Sequence, residues 1–353
     1  MTPRHSSSTA AGAGALTALV GLALWARRTR PAPPTPSPHA AETRSVHADD
    51  GTALHVEVGG AATAATTVVF VHGFLARSGE FDAQWEHLGS RARLVRFDHR
   101  GHGCSGRIRG ACDVECLAHD LGQVVDEVAP VGPVVLVGHS MGGMTVLALA
   151  AERPEMFGEH VTGVALIASA AGHDIPGHPV ENAFRWLARR RFLAVLLWLL
   201  RVVAPVQERL RPRGTRGMRM VVRWALFGRA DASPDLVRQT QRMLEEPPMR
   251  TVAALQGAIL RHDKRDSLGV LARVPVAIVV GSDDRLTRAE HSRVMAREIG
   301  DAADLVVLPG VGHTLMQTRP VEVNSALDRL LDRADRYALA NPSGSQTSPA
   351  VVT

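Results

Sequence analysis

Lysine is almost missing from this 353-residue chain: Lys264 is the only one, although lysine and arginine together number 40. An arginine bias of that kind follows genome composition, so abundant arginine alone says little about partners. Cysteine is nearly as scarce. Cys104, Cys112 and Cys116 fall within thirteen residues; three cannot all pair with one another, and no His/Cys cluster beside them has the spacing of structural zinc. They read as free thiols. No repeat recurs at a solenoid period, and no recognised nucleic-acid-binding motif accompanies the positive charge, so nucleic acid is not expected as a partner. Apolar residues make up 45% and charged residues 21%, ordinary values that exclude wholesale disorder. A chain this long can bury one large core, or one core with a smaller inserted domain.

The net charge of +5 is unevenly spread. Between positions 185 and 229 stand twelve arginines and one acid, Glu208, giving +11 there against −6 for the remainder. Residues 6–26 carry no charge, and 10–26 are mostly Ala, Leu, Val and Gly. About twenty apolar residues span a bilayer, so 1–30 is expected to be a hydrophobic anchor (a transmembrane helix) or, alternatively, a signal segment. The stretch before it has only Arg4 and His5, and no convincing cleavage site precedes Arg27. Arg27, Arg28 and Arg30 favour the cytoplasmic face for the domain beyond them; a secreted protein is the alternative. Residues 31–44, with their PAPPTPSP run, read as a stiff linker, and 336–353 as a disordered tail.

Between these ends, short apolar runs at 53–58, 67–72, 94–97, 134–138, 161–168, 276–281 and 305–308 predict strands. Helical patterns at 113–128, 141–152, 288–299 and 321–333 lie between the later ones. Strands buried on both faces read as continuous apolar runs, and their alternation with helices predicts an α/β fold with a mostly parallel, doubly wound sheet. Asp50-Gly51 is a hairpin turn signal. Residues 172–250 carry helical periods and no strand, which predicts a helical lid inserted between core segments 45–171 and 251–335.

Gly138-His139-Ser140-Met141-Gly142-Gly143 follows one apolar run and opens a helical pattern. This is G-x-S-x-G in its required strand, turn and helix context, with the serine hydroxyl presented at the carboxyl edge of the sheet. A serine hydroxyl is a poor nucleophile until a base takes its proton. The base is expected beyond the last strand, where Pro309-Gly310-Val311-Gly312-His313 supplies His313. The acid is expected after the preceding strand, where Gly281-Ser282-Asp283-Asp284 supplies Asp284, with Asp283 and then Asp174 as rivals. Backbone N–H groups must hold the oxyanion: Met141, directly after the serine, and Phe74, in the loop His72-Gly73-Phe74.

Taken in order with Phe97-Asp98-His99-Arg100-Gly101-His102-Gly103-Cys104-Ser105, these motifs resemble the α/β-hydrolase superfamily. The resemblance is to its bacterial serine esterases and its monoacylglycerol-lipase-like or lysophospholipase-like members. It covers about residues 45 to 335 and is weak over the lid. It implies an acid three residues after the strand-end glycine, which favours Asp284, and a structural turn at 98–105. Arg288 departs from the proline common four residues after the acid. Serine at 140 argues against the dehalogenase and epoxide-hydrolase branches.

The other histidines have plainer readings: His72 and His139 bond loops, and His99 and His102 belong to a turn. In the lid, the apolar run 192–200 lies between Arg189–Arg191 and Arg201, and Trp224, Leu226 and Phe227 form a second apolar group. Nine apolar residues cannot span a bilayer. They could line an acyl pocket, or the lid could dock on an anionic membrane surface through tryptophans and arginines. The resulting expectation is a serine esterase acting on a small-molecule, lipid-like ester, with no cofactor and no metal. Thioesterase, amidase or cofactor-free perhydrolase activity is the nearest alternative. A non-catalytic, membrane-tethered binding protein is the alternative from another class.

Overall fold

The fold is described from a computed structural model, over residues 40–172, 214–230 and 232–342. The expected anchor at 1–30, most of the linker, lid residues 173–213 (with Asp174 and the apolar run at 192–200) and the end of the tail lie outside the described residues. Among those described, no helix is long and apolar enough to cross a membrane.

Eight strands form one sheet: β1 (Glu42–His47), β2 (Ala53–Gly60), β3 (Thr67–Val71), β4 (Arg93–Phe97), β5 (Val134–His139), β6 (Val161–Ile167), β7 (Val276–Gly281) and β8 (Ala303–Leu308). Their order is β1-β2-β4-β3-β5-β6-β7-β8. β2 pairs antiparallel with both β1 and β4, and the other pairings are parallel. The principal helices are α1 (Asp82–Leu88), α2 (Val114–Val128), α3 (Met141–Glu152), α4 (Arg216–Val222), α5 (Pro234–Glu245), α6 (Met249–Arg261), α7 (Ala289–Ile299) and α8 (Pro320–Ala340).

Successive strand residues face opposite sides, and here both sides are covered. Val69, Val71, Val134 and Leu136 pack with α2, α3 and α7. Val68, Phe70, Val135 and Val137 pack with α1 and α8. That double burial is why the central strands are uninterrupted apolar runs. The parallel register lines up the carboxyl ends: Val71 lies beside Gly138, His139 beside Ile167, and Gly281 beside Leu308. The loops that follow these strands therefore gather at one edge.

Two expected boundaries are corrected. The linker, expected to reach residue 44, gives way earlier: β1 begins at Glu42 and pairs with β2 through the turn at Asp50-Gly51. In β1 only Val46 is buried, so this polar edge strand carries no apolar alternation to read. The tail, expected from 336, starts later, because α8 runs to Ala340. Its last turns contain no breaker, and Arg91 and Thr66 bind Asp332 and Asp335 on it. Within the inserted segment, the described part from 214 onward is helical, through α4, a π-helical turn Arg223–Phe227 and α5.

One pair inside the sheet had no sequence signal. Glu57 and Arg96 stand opposite each other on β2 and β4, both buried, with Nε 2.7 Å from Oε2. The Arg96 guanidinium lies 4.4 Å over the Trp85 ring and also reaches Asp82 at 2.7 Å. Pairing and stacking together are what make a buried arginine tolerable.

Candidate active site

Ser140 sits between β5 and α3 with φ 51 and ψ −116, a left-handed backbone that a non-glycine residue adopts only under constraint. The constraint is close packing. A Cβ at Gly142 would lie 1.9 Å from the Val71 carbonyl oxygen, and one at Gly138 would lie 2.6 Å from the Gly143 nitrogen. A Cβ at Gly143 would meet Ser169 Oγ at 2.4 Å. The Ser140 N–H donates to Ile167 O at 2.9 Å, and Ser169 Oγ donates to the Ser140 carbonyl at 2.8 Å. The Ser140 hydroxyl does not cap the helix.

His313 follows β8 and Asp284 follows β7, and the sheet edge brings them together with His313 Nδ1 2.8 Å from Asp284 Oδ2. Asp284 is buried and accepts the backbone N–H groups of Leu286 at 2.8 Å and Thr287 at 3.0 Å on its other oxygen. Burial pushes its carboxyl upward, but the His313 ring and these N–H donors outweigh burial and hold it below the usual range. Asp283, the rival acid, points elsewhere: it holds Arg229 at 2.7 and 3.0 Å.

The loop after β3 is shaped by a residue that sequence reading missed. Buried Glu80 accepts the Gly73 N–H at 2.7 Å with one oxygen and lies 3.1 Å from His139 Nδ1 with the other. It ties the His72-Gly73-Phe74 loop to the Ser140 turn, and a Cβ at Gly73 would meet His139 Nδ1 at 2.8 Å. His139 Nε2 lies 3.2 Å from the His313 carbonyl. Glu80 stands in a short 3-10 turn with no motif around it. The side chains of Phe74 and Met141 share one apolar cluster with Leu117 and Leu255.

The buried histidines divide by environment. His72 accepts the His99 N–H through Nε2 at 2.9 Å, so its Nδ1 donates to the Gly73 carbonyl at 2.8 Å. His102 accepts the Leu75 N–H at 3.3 Å. Burial holds His72 below the ordinary histidine value, His99 well below it, and His102 at about 3. For His139, burial also pulls downward, but the Glu80 carboxylate overcomes it and the value rises. The two groups oppose each other in linkage. A depressed histidine contributes stability that is present above its unfolded value of 6.5 and lost as pH falls toward the folded value. Raised His139 contributes stability that is full below 6.5 and lost as pH rises through its folded value. Urea unfolding from about pH 7 down to about pH 5 is therefore expected to show falling stability, at ~1.4 kcal/mol per pH unit for each proton taken up. His102→Gln should flatten that slope. A wild-type curve flat over this range would remove the buried neutral histidines from the account.

The inserted segment reaches this site from its carboxyl-terminal side. A Cβ at Gly312 would lie 2.3 Å from the Leu226 carbonyl oxygen. Thr314 N–H donates to that same carbonyl at 3.1 Å, and Arg229 N–H to Gly310 O at 3.0 Å. Arg285 binds the Trp224 carbonyl and lies 4.9 Å over its ring. Residues 226–229 thus clamp the His313 loop, while Trp224 meets Arg285 in the loop after β7. Among the described residues, one group could hold a metal ion: His55, Asp98 and Cys104, with ligand atoms within 4.8 Å of one another. It is separate from His313 and Asp284, and Asp98 already accepts the N–H groups of Ser78 and Cys104, each at 2.8 Å. This is the turn expected at 98–105.

Residues 62–319 match the family described as serine aminopeptidase, S33 (Hydrolase_4). Among curated proteins, the chain is 26% identical over 284 residues to the 1-acylglycerol-3-phosphate O-acyltransferase of Arabidopsis thaliana, an alignment covering 74% of this chain and 66% of that protein. The chain therefore spans just under two thirds of that relative. It is 33% identical over 133 residues to the monoacylglycerol lipase of Mycolicibacterium smegmatis, covering 33% of this chain and 48% of the lipase. Among solved structures, a thermophilic esterase from Thermogutta terrifontis superposes with a TM-score of 0.66 at 24% identity, covering 83% of this chain and 99% of that one. That likeness shows the fold.

Proposed function

The chain belongs to the serine aminopeptidase S33 (Hydrolase_4) family of α/β-hydrolases, and on that premise we propose that it hydrolyses carboxylic esters through an acyl-enzyme on Ser140. What carries this reading is the strained Ser140 turn standing at the same sheet edge as the His313–Asp284 pair, 2.8 Å apart. In the proposed cycle His313 Nε2 takes the Ser140 proton as Oγ attacks the ester carbonyl. The backbone N–H groups of Phe74 and Met141 hold the oxyanion. The proton passes to the leaving alcohol, and His313 then activates water to release the acid. Asp284 fixes the Nδ1–H tautomer and stabilises the imidazolium.

The proposed substrates are lipid-like esters of the monoacylglycerol or lysophospholipid type. Two relatives with acylglycerol activities in their names support this class. The test follows p-nitrophenyl esters of graded chain length beside matched thioesters, with a fluorophosphonate probe for the nucleophile. Ester turnover that rises with chain length is the expected result. Preference for the thioesters in kcat/KM would replace esterase by thioesterase. A folded protein that neither labels nor turns over would leave the binding-protein reading.

The same reading places the inserted segment at a membrane. Arg216, Met220, Arg223 and Trp224 recur at helical spacing and are all exposed, Met220 at 74% and Trp224 at 41%. Cations flanking apolar side chains suit an anionic lipid surface. Full-length protein is expected to sediment more strongly with phosphatidylglycerol-containing vesicles than with neutral ones, and Arg216→Gln/Arg223→Gln should narrow the difference. Equal sedimentation would sink the docking idea and leave attachment to the 1–30 segment.

A further inference from the structure

Cys112 and Cys116 lie four residues apart, one just before α2 and one in its first turn. Asp113 between them caps the helix, accepting the Cys116 N–H at 2.9 Å. The cap turns Cys112 back over the helix start, so that its Sγ stands 2.8 Å from the Cys116 Sγ. Cys112 is buried and Cys116 is half-buried. Cys116 opens into a surface depression of about 690 Å³ that it shares with Arg100, Arg109 and Lys264.

We propose that Cys112 and Cys116 are a redox-active dithiol that closes to an intramolecular disulfide. A disulfide needs its sulfurs at ~2.05 Å, so the pair has under 1 Å left to travel. Cys116 is the attacking sulfur. The S–H of Cys112 donates to it, and the Arg100 charge and the helix start also favour its thiolate, while burial opposes. Cys112 is shifted the other way, first by that same hydrogen bond and then by burial. The oxidant is a small-molecule disulfide arriving through the depression. Cys116 thiolate attacks one of its sulfurs, forms a mixed disulfide and expels a thiolate. That thiolate takes the Cys112 proton, Cys112 attacks Cys116 Sγ, and the second small thiolate leaves and is protonated from water. The protein is oxidised by two electrons, and the small disulfide is reduced to two thiols.

The pair is also placed to be felt at the reacting centre. Cys112 packs in one cluster with Leu117, Met141 and Leu255, and Phe74 and Cys116 border it. Drawing Cys112 toward Cys116 shifts the apolar bed under Met141 and Phe74. This second half rests on the reading of those two residues as oxyanion donors.

The test uses full-length Cys104→Ser protein, which removes the third thiol, titrated with oxidised glutathione. Both remaining thiols are expected to disappear together, with the peptide that contains them lighter by two hydrogens and restored by dithiothreitol. Cys112→Ser should stop at a glutathione adduct on Cys116, and Cys116→Ser should react at least ~10-fold more slowly, because the remaining Cys112 thiol is buried. A stable glutathione adduct while both cysteines are present, or loss of one thiol without the other, would overturn the dithiol. On closure kcat should fall reversibly by ~10-fold, within the 10²-fold that a displacement near 1 Å can cause, and the Cys112→Ser/Cys116→Ser protein should not respond. A disulfide that leaves kcat unchanged would overturn the coupling. Failure of the esterase reading shows separately, as absence of fluorophosphonate labelling in the reduced protein.

Discussion

Ser140→Ala is expected to lower kcat for ester hydrolysis by ~10⁶, the scale on which removal of a serine nucleophile acts when nucleophile and base work as a unit. Residual rates of ~10³ over water would come from the oxyanion donors and binding alone. The exchange isolates the hydroxyl unusually well. Alanine keeps the Cβ, so the left-handed backbone at φ 51 is no more strained than before. The hydroxyl caps nothing, and the turn is held by backbone bonds to Ile167 and by Ser169, which the variant retains. Stability should therefore change little, and a thermal melt checks that loss of activity is not loss of fold. Fluorophosphonate labelling should vanish with turnover. Labelling that survives in the variant would place the nucleophile elsewhere.

Asp284→Asn is expected to cost ~10⁴ in kcat with the fold intact, as in the Ser-His-Asp proteases where that exchange fixes the wrong tautomer. The asparagine oxygen can still accept the N–H groups of Leu286 and Thr287 that Asp284 accepts at 2.8 and 3.0 Å. Its amide must then face His313 Nδ1, where the carboxylate oxygen stood at 2.8 Å. An N–H donor there makes Nδ1 the acceptor and leaves the proton on Nε2, so the proposed transfer of the Ser140 proton to the ring would be blocked. Asp283→Asn is the internal comparison. Asp283 engages Arg229 and not His313, and this variant should keep kcat within a few-fold. A collapse in Asp283→Asn as deep as in Asp284→Asn would unseat this division of roles.

The central sheet and the placement of Ser140, Asp284 and His313 were legible because each depends on short-range pattern. An apolar run five or six residues long with both faces buried leaves an unbroken signature, and the residues after such a run must emerge at the sheet edge. Gly138, Gly142 and Gly143 announce a turn where no Cβ fits. Glu80 was illegible for the opposite reason. Its two partners are Gly73, in the loop after β3, and His139, at the end of β5, and nothing in its local sequence marks a carboxylate that spans them. The same holds for Arg96, an arginine set between Val95 and Phe97 whose partner Glu57 is 39 positions away. β1 was illegible because an edge strand with one buried side chain has no alternation, and the end of α8 because its last turns are held by ion pairs to Arg91.

The seat of Gly312 against the Leu226 carbonyl also limits how such proteins can diversify. A lid is commonly thought of as a cassette, exchangeable while the catalytic framework stays constant. Here a turn inside the cassette, with α5 still to follow, is fitted to a loop nearly ninety positions further on, with Thr314 bonding the same carbonyl. A chimera that imports a foreign lid up to its natural end would also import a new partner for the histidine loop. Crossovers placed before residue 224 keep the two surfaces matched, so inheritance of new specificity should favour exchanges inside the insert over exchanges of the whole of it.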